Sequence, residues 1–209
     1  MKFLKTGLVA AMVSTLAISA FAADAKYNAG KYDVDPAHSS VGFEVPHLVI
    51  STVEGKFTKF EGTVELNEKF EKSSVKASAD TASVNTGNEK RDGHLKSADF
   101  FDSAKNPKLT FESTEIKGTP ASFKLIGNLK IKTTTKKVTF DAKYLGTIND
   151  GMGNEKVAFT ATTKIARKDF GLTYGAMVEA GPVIGDDVTI TLKIEAARPA
   201  AAAATPAKK

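Results

Sequence analysis

Few residues of this chain could do chemistry, and they fall into three groups. His38, His47 and His94 are the only histidines, and imidazole is a common zinc ligand, so a three-histidine metal site is the first chemistry to weigh. His38 and His47 are nine residues apart and would face opposite sides of an unbroken strand, although Pro46 can interrupt one. His94 would have to approach from a separate segment. Histidines that satisfy structure or line a mouth are the ordinary alternative, and no metal is assigned. Asp35, His38, Ser39 and Ser40 bring the residue types of a hydrolytic triad within six positions. Triads are defined by geometry, however, and the chain has no G-x-S-x-G elbow, G-x-G-x-x-G fingerprint or P-loop. A hydrogen bond from His38 to Asp35 across Pro36 would instead fix a turn. No catalytic residue and no cofactor is assigned, and the chain reads as a non-enzyme. The third group, Arg91, Asp92, His94, Arg167 and Asp169, sets charges beside Leu95, Phe100 and Phe170. That mixture suits a polar rim around an apolar mouth, where a ligand head group could bind. Arg167 could equally pair with Asp92 or Asp102 and only pin a helix.

The elements that must position these residues are strands. Val41, Phe43 and Val45 alternate with polar or small residues, as do Phe123, Leu125, Gly127, Leu129 and Ile131. The same period recurs over Val138 to Tyr144, Val157 to Ile165 and Val188 to Ile194. Alternation of this kind predicts strands with one buried and one wet face. Turn clusters such as Gly118-Thr119-Pro120 and the run from Asn149 to Asn154 separate them. Between Lys31 and Ala196 about eight or nine strands are expected, an all-β barrel or sandwich. The alternation stops between Asn88 and Ala104, which predicts a short helical excursion across one end of the sheet. Gly127, Ala142, Gly146, Ala161 and Thr163 share a face with Phe123, Leu125, Phe140 and Phe159. Small residues beside large aromatic ones could leave a channel, or could taper into a fully packed core.

The first 22 residues carry a charged start, an apolar run from Leu8 to Ala20 and the small-x-small site Ala20-Phe21-Ala22. This pattern predicts a cleaved signal peptide over 1–22, an exported domain over 23–196 and a disordered Ala/Pro-rich tail over 197–209. The apolar run is shorter than the roughly 20 residues that span a bilayer, so no transmembrane segment is expected after cleavage. The formal charge of +5 is carried outside the body: without Lys2, Lys5, Arg198, Lys208 and Lys209, 24 basic residues face 24 acidic ones. A neutral body lacks the electrostatic footprint of a nucleic-acid binder. There is no cysteine, which excludes disulfides, thiolate metal sites, a cysteine nucleophile and a lipobox.

Tyr32-Asp33-Val34-Asp35-Pro36-Ala37-His38-Ser39-Ser40-Val41-Gly42-Phe43-Glu44-Val45-Pro46-His47-Leu48, followed by Gly55-Lys56-Phe57 and Phe60-Glu61-Gly62, resembles the opening of the YceI-like family of periplasmic proteins. The block from Arg91 to Asp102, with Asn106-Pro107 and Phe111 after it, is similar to the family's most distinctive internal motif. Gly127-Asn128-Leu129, Arg167-Lys168-Asp169-Phe170-Gly171 and Gly185-Asp186-Asp187-Val188 match three later landmarks. One departure is Thr133, where the family usually has a turn glycine.

The resemblance implies an eight-stranded antiparallel lipocalin-like β-barrel, with the helical excursion near residues 88–104. It also implies a periplasmic protein binding a polyisoprenoid lipid, such as an isoprenoid quinone or polyprenyl species, in its interior. On that expectation Phe43, Val45, Phe57, Phe111, Leu125, Phe140 and Phe159 line the tail, with Leu95, Phe100, Phe101 and Phe170 toward the mouth. His47, Arg91, Asp92, His94, Arg167 and Asp169 are the candidates for the head group or mouth. A stress or interaction protein that uses a packed barrel as a scaffold is the alternative. A homodimer is compatible with the sequence, though no segment specifies one.

Overall fold

The computed structural model describes residues 26–179 and 181–199, so the expected signal peptide lies outside the described residues. The chain runs through β1 (Gly30–Val34), β2 (Ser40–His47), β3 (Ser51–Phe57), β4 (Phe60–Leu66), β5 (Ser74–Asp80) and β6 (Val84–Asn85). After α1 (Glu89–Lys96) come β7 (Lys108–Thr119), β8 (Ser122–Ile131), β9 (Thr134–Asn149) and β10 (Asn154–Ala166). A short hairpin of β11 (Met177–Val178) and β12 (Gly181–Pro182) precedes the last strand, β13 (Asp187–Pro199). All pairings are antiparallel in the order β1-β4-β5-β7-β8-β9-β10-β13, and β13 returns to β1. The sheet is thus an eight-stranded barrel, and closure removes the open edges that would otherwise invite pairing between chains.

Three of the eight staves are broken strands. β1 and β2 form one, β3 and β4 the next, and β5 and β6 the third, because β13 pairs with β1 at one end and with β2 at the other. Between the pairs Val34–Ala196 and Ser40–Lys193 the first stave advances six residues while β13 advances three. The surplus of three residues is taken up at the turn Asp35-Pro36-Ala37-His38, closed by Ala37 N–H on Asp35 Oδ1 at 2.9 Å and by His38 Nδ1 at 2.7 Å from Asp35 Oδ2.

The helical excursion is shorter than its sequence window. α1 begins where the Asn88 side chain accepts from the Arg91 N–H at 3.0 Å, and its last turn closes at Ser97. At the β8–β9 turn, Lys132 rather than Thr133 takes the left-handed conformation, with φ of 53°. A two-residue hairpin needs positive φ at its first central position, and Lys tolerates it better than a β-branched residue. The last strand also exceeds its expected bound: Ala197, Arg198 and Pro199, assigned on sequence to the tail, belong to β13. No helix among the described residues is long and apolar enough to cross a membrane.

One end of the barrel is sealed. Phe70 packs edge-on against Tyr27 and Phe123, with ring centroids 5.5 and 5.0 Å apart, and Tyr144 packs on Phe159 at 5.4 Å. Beside them Tyr32, 0% exposed, donates its hydroxyl to Glu155. Asn28 Nδ2 and Arg198 Nη2 also donate to Glu155, at 3.0 and 3.2 Å, and the Arg198 guanidinium lies 4.6 Å above the Tyr32 ring. Burial, reinforced by the hydrogen bond to Glu155, pushes the Tyr32 phenol far above its ordinary range. Burial alone would raise Glu155 as well. The hydrogen bonds from Tyr32 and Asn28 and the Arg198 charge outweigh it, and the carboxyl sits below its usual value.

Candidate functional site: an apolar cavity and its mouth

The barrel is hollow. A cavity of about 700 Å³ runs from the aromatic seal to the end crossed by α1, with an overwhelmingly apolar wall. That is several times the roughly 150 Å³ of an engineered apolar cavity that stays dry, and within the range of natural ligand sites. The space exists because of how the wall residues are paired. Phe43 sits opposite Gly55 on β3, and its ring occupies the place of a Gly55 side chain, within 2.3 Å of where a Cβ would stand. The Phe111 ring lies across Gly127 in the same way, 2.5 Å from the missing Cβ. Both rings are therefore laid along the wall instead of across the lumen. On the far side Ala142 and Ala161 face each other in register between β9 and β10, and both line the cavity. Of the small residues noted in the sequence, Thr163 contributes a hydroxyl bond to the Thr139 carbonyl at 2.8 Å, and neither it nor Gly146 lines the space.

The expected tail-lining residues come together. Phe43, Val45, Phe57, Phe111, Leu125, Phe140 and Phe159 all line the cavity, as do Leu95, Phe100 and Phe101 at the α1 end. Phe170 does not: it is buried beneath the wall, in the turn that follows β10. Sequence alternation missed Leu172, Val183 and Ile184, which lie in irregular chain and carry no period.

The charged candidates divide. His47, Arg91, His94 and Arg167 border the cavity, whereas Asp92 and Asp169 do not. Asp92 is buried and accepts from the Thr86 N–H and hydroxyl at 2.9 and 2.6 Å, fixing the approach to α1. Asp169 is exposed on the outer surface. Arg167 is 4% exposed, and its guanidinium donates to the carbonyls of Gly185, Leu172, Tyr174 and Ile184 and to Asp186. Its donors are all engaged, so it holds the loop beside the mouth and has none left for a head group. Neither Asp92 nor Asp102 is its partner. Arg91 likewise spends Nε and Nη2 on Thr86, at 2.7 and 2.9 Å. His94 is oriented by Asp99, 2.8 Å from Nε2, and meets Phe100 and Tyr174 edge-on with centroids 5.0 and 4.7 Å away. Lys90, also at the mouth, was not singled out in the sequence. Its signal was there: it stands four residues before His94, on the same face of α1.

The three histidines do not form a site. His38 lies at the broken stave, bound to Asp35, and His94 is bound to Asp99. Asp35, His38 and Glu195 do converge, with ligand atoms within 4.8 Å of one another. The Lys156 ammonium already sits 2.7 Å from Glu195 and supplies the positive charge there, and the hydrogen bond raises its own pKa. The hydrogen bond from His38 chiefly lowers Asp35. The Ser39 hydroxyl is engaged by the Glu195 backbone, donating to its carbonyl at 3.0 Å and accepting from its N–H at 2.9 Å. Asp35 and His38 thus meet as a turn lock, and the nearby serine closes the barrel instead of completing a triad.

Closed barrel, sealed floor and apolar lumen define a binding barrel of the lipocalin-like kind. The chain belongs to the YceI-like family, whose domain it matches over residues 32–196. A UPF0312 protein of Serratia proteamaculans is 38% identical over 193 residues, covering 92% of this chain and 95% of the relative. The crystal structure of the Campylobacter jejuni YCEI protein superposes with a TM-score of 0.63 at 31% identity, covering 83% of this chain and 98% of the other. A polyisoprenoid binding domain from Saccharophagus degradans shares the fold, with a TM-score of 0.60 at 16% identity over 82% of this chain and the whole of that domain.

Proposed function

We propose that this protein is an exported, periplasmic carrier that holds one polyisoprenoid lipid, of the quinone or polyprenyl type, non-covalently inside the barrel. The single observation that carries the reading is the 700 Å³ cavity with its overwhelmingly apolar wall, open at the α1 end. A barrel used only as a scaffold would fill such a space with side chains, as interiors normally do. The polyisoprenoid binding named for the Saccharophagus degradans domain supports the choice of cargo, and the amino-terminal pattern supports export.

An isoprenoid tail offers only hydrocarbon, and each CH₂ removed from water contributes about 0.8 kcal/mol. The tail is already dry in a membrane, so transfer from bilayer to barrel is close to balanced once ordering of the tail is counted. A carrier needs that balance, because uptake and release must both be possible. In this reading the tail lies along Phe43, Phe111, Leu125, Phe140 and Phe159, and the head group stays near Lys90, His47 and His94. The test is native mass spectrometry of the protein as isolated from cells, followed by organic extraction of whatever it carries. One equivalent of an isoprenoid lipid is expected. Repeated cargo-free mass, with no uptake of an added polyprenol, would overturn the carrier reading.

A further inference from the structure

The mouth carries apolar side chains that the fold does not use. The β2–β3 turn presents Val49, 62% exposed, and Ile50, 89% exposed, with Leu48 partly exposed beside them. Leu48 and Val49 both adopt positive φ, 51° and 67°, a conformation that a β-branched residue resists. Strain and exposed hydrocarbon thus coincide in one tip, where two polar turn residues would be more stable in water. The β11–β12 hairpin packs against it: Leu48 N–H donates to the Val183 carbonyl at 3.0 Å, and Gly181 is so close to Val49 that a Cβ would stand 3.0 Å from its Cγ2. That hairpin adds Met177, 75% exposed, and Val178. The patch is continuous with the lumen, because Pro46, His47, Val53, Val183 and Ile184, the neighbours of these tips, line the cavity mouth.

We infer that this apolar rim docks the open end of the barrel on a lipid bilayer, the Leu48–Ile50 tip and Met177–Val178 entering the interfacial layer so that cargo passes between membrane and cavity without crossing water. The inference rests on the carrier reading for the identity of what passes. The occupant follows from continuity: a hydrocarbon surface that runs unbroken from the lumen over the rim matches the bilayer, where the proposed cargo is dissolved. The exposed apolar residues at the other end, on the β9–β10 hairpin, lack that connection, since Leu145, Ile148 and Met152 do not line the cavity.

The chain contains no tryptophan, so a single introduced indole reports its own surroundings. Ile50→Trp and, as the control at the sealed end, Met152→Trp are mixed with vesicles of phosphatidylethanolamine and phosphatidylglycerol. A blue shift of Ile50→Trp with none for Met152→Trp is expected. In flotation with the same vesicles, Ile50→Asp combined with Met177→Asp lowers the bound fraction about tenfold, yet takes up a polyprenol from detergent micelles like the parent. No shift at residue 50, in protein that still takes up polyprenol from micelles, would overturn docking and leave the carrier reading standing. A shift at residue 50 in protein that takes up no polyprenol would uphold docking and overturn the carrier reading. A blue shift that grows with protein concentration in the absence of vesicles would assign the patch to a second copy of the chain and overturn the inference.

Discussion

The same eight staves end in two contrasting ways. At the sealed end aromatic rings meet aromatic rings, and the buried polar pair is matched: Tyr32 donates to Glu155, and Asn28 and Arg198 donate to the same carboxylate from nearer the surface. At the open end apolar side chains face solvent, the apolar Leu48 and Val49 are both held at positive φ, and one buried arginine holds the surrounding loop through carbonyls. Stability is thus concentrated at one end of the fold and conformational freedom at the other. The floor is a packed, paired structure with little reason to move. The rim is a set of short irregular segments held by a few polar contacts, those of Arg167 foremost among them, the arrangement from which binding loops are drawn.

The largest expected effect comes from removing the Arg167 contacts. Arg167→Ala leaves four carbonyls and Asp186 without their donor and should destabilise the protein by about 2–4 kcal/mol, read as a lower denaturant midpoint. Arg167→Lys should not restore it, because one ammonium cannot reach the fork of positions that the guanidinium fills. Protection from hydrogen exchange should fall first around Leu172, Tyr174 and Ile184, while the floor stays protected.

The counterpart at the floor is Glu155→Ala, expected to cost about 2 kcal/mol by stranding Tyr32 and Arg198, with cargo capacity unchanged. It also carries a pH signature. Glu155 has a lowered pKa in the folded protein, so its stabilisation is complete above the ordinary carboxylate range and is lost as pH falls through the folded value. Glu155→Gln should therefore flatten the acid limb of stability measured by chemical denaturation below about pH 4. An unchanged acid limb would remove Glu155 from that role.

The smallest expected change in stability has the sharpest effect on the lumen. In Gly55→Ala the new methyl meets first the far end of the Phe43 ring, which can turn into the cavity. Stability should change by less than about 1 kcal/mol, while affinity for a polyprenol falls by about tenfold, or ~1.4 kcal/mol. Equal affinity would mean that the ring's place along the wall does not matter to the cargo.

How much of this was legible in the sequence follows from what makes a periodic signal. Val188, Ile190, Leu192 and Ile194 alternate cleanly and line the cavity together, as did Phe123, Leu125 and Phe140. The landmarks from Tyr32 to Val188 gave the family and with it the closed barrel. Hollowness was not legible, because alternation reports which side a residue faces and not how far its ring extends. The decisive contacts, Phe43 over Gly55 and Phe111 over Gly127, join different strands. The charged rim misled for a related reason. Arg167 and Asp92 read as surface groups by type, but apart from the Asp186 carboxylate their partners are backbone atoms and a threonine hydroxyl, which sequence does not mark. The break between β1 and β2 was half legible: Pro36 signalled a turn, and only the register on β13 reveals that the two segments are one stave.

The most direct measurement is polyprenol uptake by the parent protein and by Ala161→Phe, compared by native mass spectrometry. Ala161 lines the cavity beside Ala142, its register partner on β9, so a phenyl ring there fills lumen that a tail would need. The parent should gain one equivalent of lipid, and the variant, with unchanged far-ultraviolet circular dichroism, should remain cargo-free. Equal uptake by both proteins, or uptake by neither, would contradict a cargo site inside the barrel.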